Sequence, residues 1–178
     1  MPLQRLYPYR LFFIVTLSIL FADQLTKLWV AAYDRLPLHQ PPYFLSYGPE
    51  GGIEVIPNFF YLCHIGNEGA AWGILAGYGF WLIILAILAL VVIYRYRRCL
   101  ALKQPFMQVS FGLLCGGIVG NLIDRIFHGH VIDFLDVHLP FYRWPAFNIA
   151  DMGITLGLFL YLVTSFWLNQ TSKRCQAE

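Results

Sequence analysis

Along this chain the apolar residues gather into four long runs, separated by stretches rich in proline, glycine and charge. The first covers about 11–33; at about 1.5 Å of rise per residue, a helix of that length crosses a hydrocarbon core of about 30 Å. Further runs cover about 70–94, through Trp81-Leu-Ile-Ile-Leu-Ala-Ile-Leu-Ala-Leu-Val-Val-Ile, then about 107–127 and about 149–168. Between 34 and 66, Pro37, Pro41, Pro42, Pro49, Pro57 and the pair Gly51-Gly52 exclude a helix. There Ile53-Glu-Val-Ile alternates like a short strand, and Asn58-Phe-Phe-Tyr-Leu continues extended. Residues 128–148 read as a second loop. The pattern predicts an all-α membrane protein: a four-transmembrane-helix bundle with a small extramembrane β/loop element on the outer face, residues 1–178 forming one membrane domain.

Composition supports the membrane reading. Hydrophobic residues make up 58% and charged residues only 12%, where soluble domains carry about 25%; mean hydropathy is +0.60. Aromatic residues, at 17%, suit interfacial belts. A net charge of +2 with no basic stripe gives no footprint for nucleic acid.

Arg5 and Arg10 precede the first run as in a signal peptide, but the run is too long for one. It also lacks a small-x-small cleavage site and contains Asp23 and Lys27, so it reads as a retained span. Arg5, Arg10, Arg95, Arg97, Arg98, Lys103, Lys173 and Arg174 fall in the two termini and the 95–106 loop. By the positive-inside rule those segments are cytoplasmic and the two long loops lie outside. Cys63, Cys99, Cys115 and Cys175 match no zinc or disulfide spacing.

Two Asn-x-x-Asp motifs stand at the edges of apolar runs: Asn121 with Asp124, and Asn148 with Asp151. Positions i and i+3 share a helix face, so each Asn can hold its Asp. On the topology above, both carboxylates sit at the outer margin of adjacent antiparallel spans. Such a pair shares one proton; the ionised member can then activate water while the protonated member donates to a carbonyl. The helix ends suggest Asp151, at an N-terminus, as the base and Asp124, at a C-terminus, as the proton holder.

Other readings of these residues stay open. Asn148-x-x-Asp151 also has the form of a capping box, and Asp124-Arg125 that of a surface ion pair. Asp23 and Lys27, spaced i, i+4, suit a structural ion pair. Gly112, Gly116 and Gly120, with Gly153 and Gly157, allow the third and fourth spans to approach closely. Asn67-Glu-Gly-Ala-Ala-Trp-Gly73 presents small residues to a peptide or a neighbouring helix. His128, His130, Asp133, Asp136 and His138 form a rival zinc candidate, without an HExxH helix; Asp133 more naturally orients Arg125 or Arg143. A proton-coupled transporter would use Asp23, Asp124 and Asp151 as a relay, but relay carboxylates should be spread through the membrane depth.

Taken in order, Asp23-Gln-Leu-Thr-Lys27, Ile56-Pro-Asn-Phe-Phe running into Asn67-Glu-Gly-Ala-Ala-Trp, Gly116 to Arg125, Val131-Ile-Asp-Phe134 and Phe147-Asn-Ile-Ala-Asp151 resemble the blocks of the bacterial lipoprotein signal peptidases (signal peptidase II). The resemblance spans nearly the whole chain. It implies an intramembrane aspartyl endopeptidase of the bacterial inner membrane that cleaves prolipoproteins before a diacylglyceryl-modified cysteine. It further implies a dyad of Asp124 and Asp151, with Asn121, Asn148, Asp23, Lys27, Asn67, Arg125 and Asp133 supporting the site. No metal or other cofactor is expected, membrane lipid is a partner, and globomycin-type antibiotics should inhibit. The stretch from Lys27 to Asn67 is longer than usual in the family, and Trp72 stands where the family often has Phe.

Overall fold

The computed structural model describes residues 9–33, 52–70 and 74–175, with side chains to Trp167. The Pro-rich stretch 37–49 and the Trp72 position lie outside the described residues. Among the described residues, four helices are long and apolar enough to cross a membrane: α1 (Arg10–Ala32), α2 (Gly79–Tyr96), α3 (Pro105–His128) and α4 (Ile149–Cys175). A four-stranded antiparallel sheet, ordered β1 (Gly52–Ile56), β2 (Phe60–Asn67), β3 (Val131–Leu139), β4 (Tyr142–Arg143), is built from the two inter-helix stretches.

Helix α3 is the centre. Over half of its apolar window is buried, against about a tenth in α1 and less in α2. Both α1 and α4 lie along it, and α2 rests on it more lightly. The outward faces of the other helices carry large bare side chains such as Phe21, Phe80 and Phe166, each about two-thirds exposed. Lipid tails suit such a surface, and polar backbone within it is satisfied inside each helix.

Close approach divides between two faces of α3. A methyl added at Gly116 would stand 2.8 Å from the Thr16 carbonyl of α1, and one at Gly117 only 2.2 Å from the Ala150 carbonyl of α4. The expected stripe of Gly112, Gly116 and Gly120 therefore receives α1. Helix α4 meets Gly117 instead, and brings its own Gly153 and Gly157.

Two expectations change. The second span was expected from about 70, yet α2 begins at Gly79. Leu75 and Gly77 hold left-handed backbone (φ 63° and 82°), which stops a helix from propagating back through them. The 128–148 loop contains β3, nine residues long, and β4. In Val131-Ile-Asp-Phe-Leu-Asp-Val-His-Leu139 the acids recur every third residue, a spacing that hides a period of two. The strand forms because β2 supplies a partner, taking three residues where β3 takes two between Leu62 and Ile65. Val30 of α1 closes the join, packing with Ile132 and Phe134.

Candidate active site

The polar residues of the helix interior gather where α1, α3, α4 and β3 meet. Lys27 Nζ lies 2.7 Å from Asp23 Oδ2, 2.8 Å from Asp124 Oδ2 and 3.0 Å from Asn121 Oδ1. Asp23 Oδ1 accepts from the Ala150 amide at 2.8 Å, so one buried ion cluster ties α1 to α3 and to the start of α4. Asp124 is fully engaged: Gln24 Nε2 donates to Oδ1 at 3.0 Å, and the Ile132 amide donates to Oδ2 at 3.2 Å. All three ionisable groups are at most 2% exposed, and removing Lys27 would leave both carboxylates buried without a counter-charge.

Beside this cluster opens a cavity of about 490 Å³. Asp133, Asp151, Asn121, Asn67 and Arg125 supply its polar wall, while Trp144–Phe147 and the Met152, Thr155 and Leu156 face of α4 supply its apolar one. Asp151 Oδ1 accepts from Asn121 Nδ2 at 2.7 Å. Asn148 Oδ1 accepts from the Asp151 amide at 2.9 Å, and the Asn148 amide donates back to Asp151 Oδ2 at 3.3 Å. The capping box is therefore real, and it aims the same carboxylate into the cavity.

Asp133 is 2% exposed and accepts from Asn148 Nδ2 at 2.7 Å and Asn67 Nδ2 at 2.9 Å. Burial, followed by the negative charge of Asp151, holds its carboxyl well above the usual carboxylate range. Arg125 fastens the loop after β2, donating from Nη2 to the Gly69 carbonyl at 2.8 Å and from Nη1 to the Asn121 carbonyl at 3.3 Å.

The structure thus pairs the carboxylates differently from the sequence expectation. Asp124 was expected to face Asp151, but it turns to Lys27 and does not line the cavity; Asp133 does. The physical reason is the end of α3. Gly129 caps that helix in left-handed backbone (φ 77°), so Asp124 lies more than a turn inside it, against α1. Asp133 falls three residues into the following strand, whose first residues fold back beside α4. The Gly in His128-Gly-His130 was the available signal. Asn121, Asn148, Asn67 and Arg125 are brought to the cavity, while Asp23 and Lys27 brace it from behind. Sequence reasoning missed Gln24 as a donor and the Trp144–Phe147 wall.

Among the described residues, no three His, Cys, Asp or Glu side chains converge as a metal set. Asp136 binds Arg143 and His138 instead. Asp23, Asp124, Asp133 and Asp151 gather at one end of the helices, which is not the spread a transport relay needs.

Residues 15–167 match the family described as signal peptidase (SPase) II. The chain belongs to the signal peptidase II family. It is similar to a lipoprotein signal peptidase of Oleidesulfovibrio alaskensis, 41% identical over 155 residues, covering 83% of this chain and 88% of that one. One from Staphylococcus haemolyticus is 37% identical over 161 residues, covering 90% and 92%. A solved structure described as a bacterial membrane enzyme, obtained by the in meso method at 2.3 Å resolution, is 33% identical with a TM-score of 0.74, covering 90% of this chain and 88% of that one. Signal peptidase II proteins are proteases, so the cavity has to be judged as a site that hydrolyses a peptide bond.

Proposed function

We propose that this chain removes the signal peptide from prolipoproteins, cutting before a diacylglyceryl-modified cysteine, with Asp133 and Asp151 as its catalytic dyad. The observation that carries the assignment is that these two carboxylates share one cavity wall, each held by Asn donors and neither ion-paired to Lys or Arg among the described residues. Two carboxylates so placed hold one proton between them. Asp133, the more enclosed, keeps it and donates to the scissile carbonyl; Asp151 takes a proton from the attacking water. Water oxygen bonds to the carbonyl carbon, giving a gem-diol. Asp151 then returns its proton to the departing amine while Asp133 recovers one from the diol, so the C–N bond breaks with every proton accounted for.

Asn121 and Asn148 set the angle of the dyad, and Arg125 and Asn67 hold the loop that closes the cavity. The ion cluster of Asp23, Lys27 and Asp124 fixes the helices behind it. The proposed setting is a single four-helix bundle in the bacterial inner membrane, termini cytoplasmic and the sheet on the outer face. Met152, Thr155 and Leu156 then open the cavity sideways to the outer leaflet, where the acyl chains of a lipidated cysteine lie. Globomycin-type inhibitors would occupy this cavity.

The test is cleavage of a diacylglyceryl-modified prolipoprotein by purified wild type, Asp133→Asn, Asp151→Asn and Asp124→Asn, with and without EDTA. The Asp133 and Asp151 variants should lose activity by orders of magnitude, and EDTA should change nothing. Asp124→Asn should lose stability yet retain measurable turnover. Near-normal turnover in either dyad variant would refute the assignment.

A further inference from the structure

A further charge pair lies outside the dyad, on the sheet, its acid buried and its arginine a third exposed. Asp136, 2% exposed, accepts from one edge of the Arg143 guanidinium: Nε donates to Oδ1 at 3.2 Å and Nη2 to Oδ2 in a shorter contact. His138 Nε2 lies 2.9 Å from the same Oδ2, and the Tyr61 ring packs on the His138 ring at 4.5 Å. Nothing in the proposed chemistry uses these groups.

What the pair controls follows from its place in the chain. Strand β4 is two residues long, and Arg143 is its last. The next four residues, Trp144-Pro-Ala-Phe147, all line the cavity. They continue along β3 as an irregular edge, held by Trp144 N to Val137 O at 2.9 Å and by the Leu135–Phe147 pairing at 2.9 and 3.0 Å. Pro145 has no N–H to give. Between those two attachments the wall has no regular ladder, and the forked side-chain bond stands at its start, beside the backbone bond of Trp144. A partly exposed ion pair adds little net stability; what a two-point fork adds is fixed geometry.

We infer that Asp136, acting through Arg143, is a positioning residue for the substrate: the pair sets the register of the Trp144–Phe147 wall against which the substrate lies. The inference rests on the proposed peptidase reading and names a determinant of substrate binding within it. Asn148, the next residue, has its own bonds to Asp133, Asn121 and α4, so displacing the wall acts on binding before it acts on the dyad.

The experiment uses the full chain in lipid–detergent micelles and a diacylglyceryl-modified prolipoprotein over a range of concentrations. Asp136→Asn and Arg143→Lys should each raise KM about tenfold while kcat stays within about threefold, the signature of lost binding common to ground and transition states. Arg143→Lys keeps the charge and loses the fork, and it serves if Asp136→Asn does not fold. The double variant should be no worse than the poorer single, because both break one contact. Hydrogen exchange should accelerate at the Trp144 and Phe147 amides and stay unchanged at Val131. An unchanged KM in Arg143→Lys, an equal fall of kcat at constant KM, or additive effects in the double variant would overturn the inference. So would unchanged exchange at Trp144 and Phe147, an arm that decides even if wild type fails to cleave the prolipoprotein. That failure by itself would strike the peptidase reading.

Discussion

Replacing Gly117 by alanine tests how finely the dyad depends on helix packing. The added methyl would stand 2.2 Å from the Ala150 carbonyl oxygen and 2.8 Å from Ile154 Cγ1, where ordinary contact begins at 3.4 Å. The nearest obstacle is backbone, so no rotamer change relieves it; α4 has to move off α3 by about 1 Å. Ala150 immediately precedes Asp151, and its amide is the one held by Asp23. Asp151 therefore moves with the obstacle, away from Asn121 on α3. Overpacking of this kind costs about 1–3 kcal/mol of stability, and a shift of about 1 Å in a reacting group costs about a hundredfold in rate. Gly157→Ala is the control. Its methyl would meet the Ser110 carbonyl at 2.6 Å, a comparable clash placed about 10 Å beyond Ala150 along α4. The assay pairs thermal unfolding in detergent with turnover of the prolipoprotein. Both variants should unfold earlier, but Gly117→Ala should lose far more turnover. Equal losses of turnover, or a Gly117→Ala enzyme working within a few-fold of wild type, would refute the reasoning.

Other expectations follow from the same geometry. Lys27→Met leaves Asp23 and Asp124 buried without a counter-charge, and should cost about 3–5 kcal/mol in thermal or denaturant unfolding; a stable Lys27→Met protein would show the cluster to be dispensable. Asn148→Ser keeps a good helix cap but loses the buried Nδ2 bonds to Asp133, Asn121 and the Ile132 carbonyl, so stability should fall by about 1–3 kcal/mol while kcat falls well beyond that. Asp133 is raised by burial and by Asp151, so its protonated form is complete at low pH and is lost as pH rises through the raised value. The kcat/KM profile should therefore fall on the alkaline side. Asn67→Ala removes a donor that favours the ionised carboxylate and should move that limb to higher pH; movement to lower pH would contradict the assignment.

The four apolar runs and the mutual hold of Asn148 and Asp151 were legible in the chain because they rest on local physics, whereas Asn121, expected to hold Asp124, reaches across to Asp151. A membrane helix needs length and apolarity, and a capping box needs a spacing of three. Membership of an aspartic peptidase family was equally legible, through ordered blocks of residues. Which acid faces Asp151 was not local. Asp124 and Asp133 both lie near an apolar segment, and each is followed by residues that suit a site. The choice is made by the left-handed cap at Gly129, which ends α3, and by Lys27 of α1, about a hundred residues earlier, which claims Asp124. The sheet was equally hidden, since β3 takes its backbone partners from a strand more than sixty residues away. Its acid-every-third pattern carries no strand signal without that partner. Local sequence determined the helices and the residue types of the site. Only tertiary contact decided which of its carboxylates pairs with lysine and which stands beside Asp151 in the cavity.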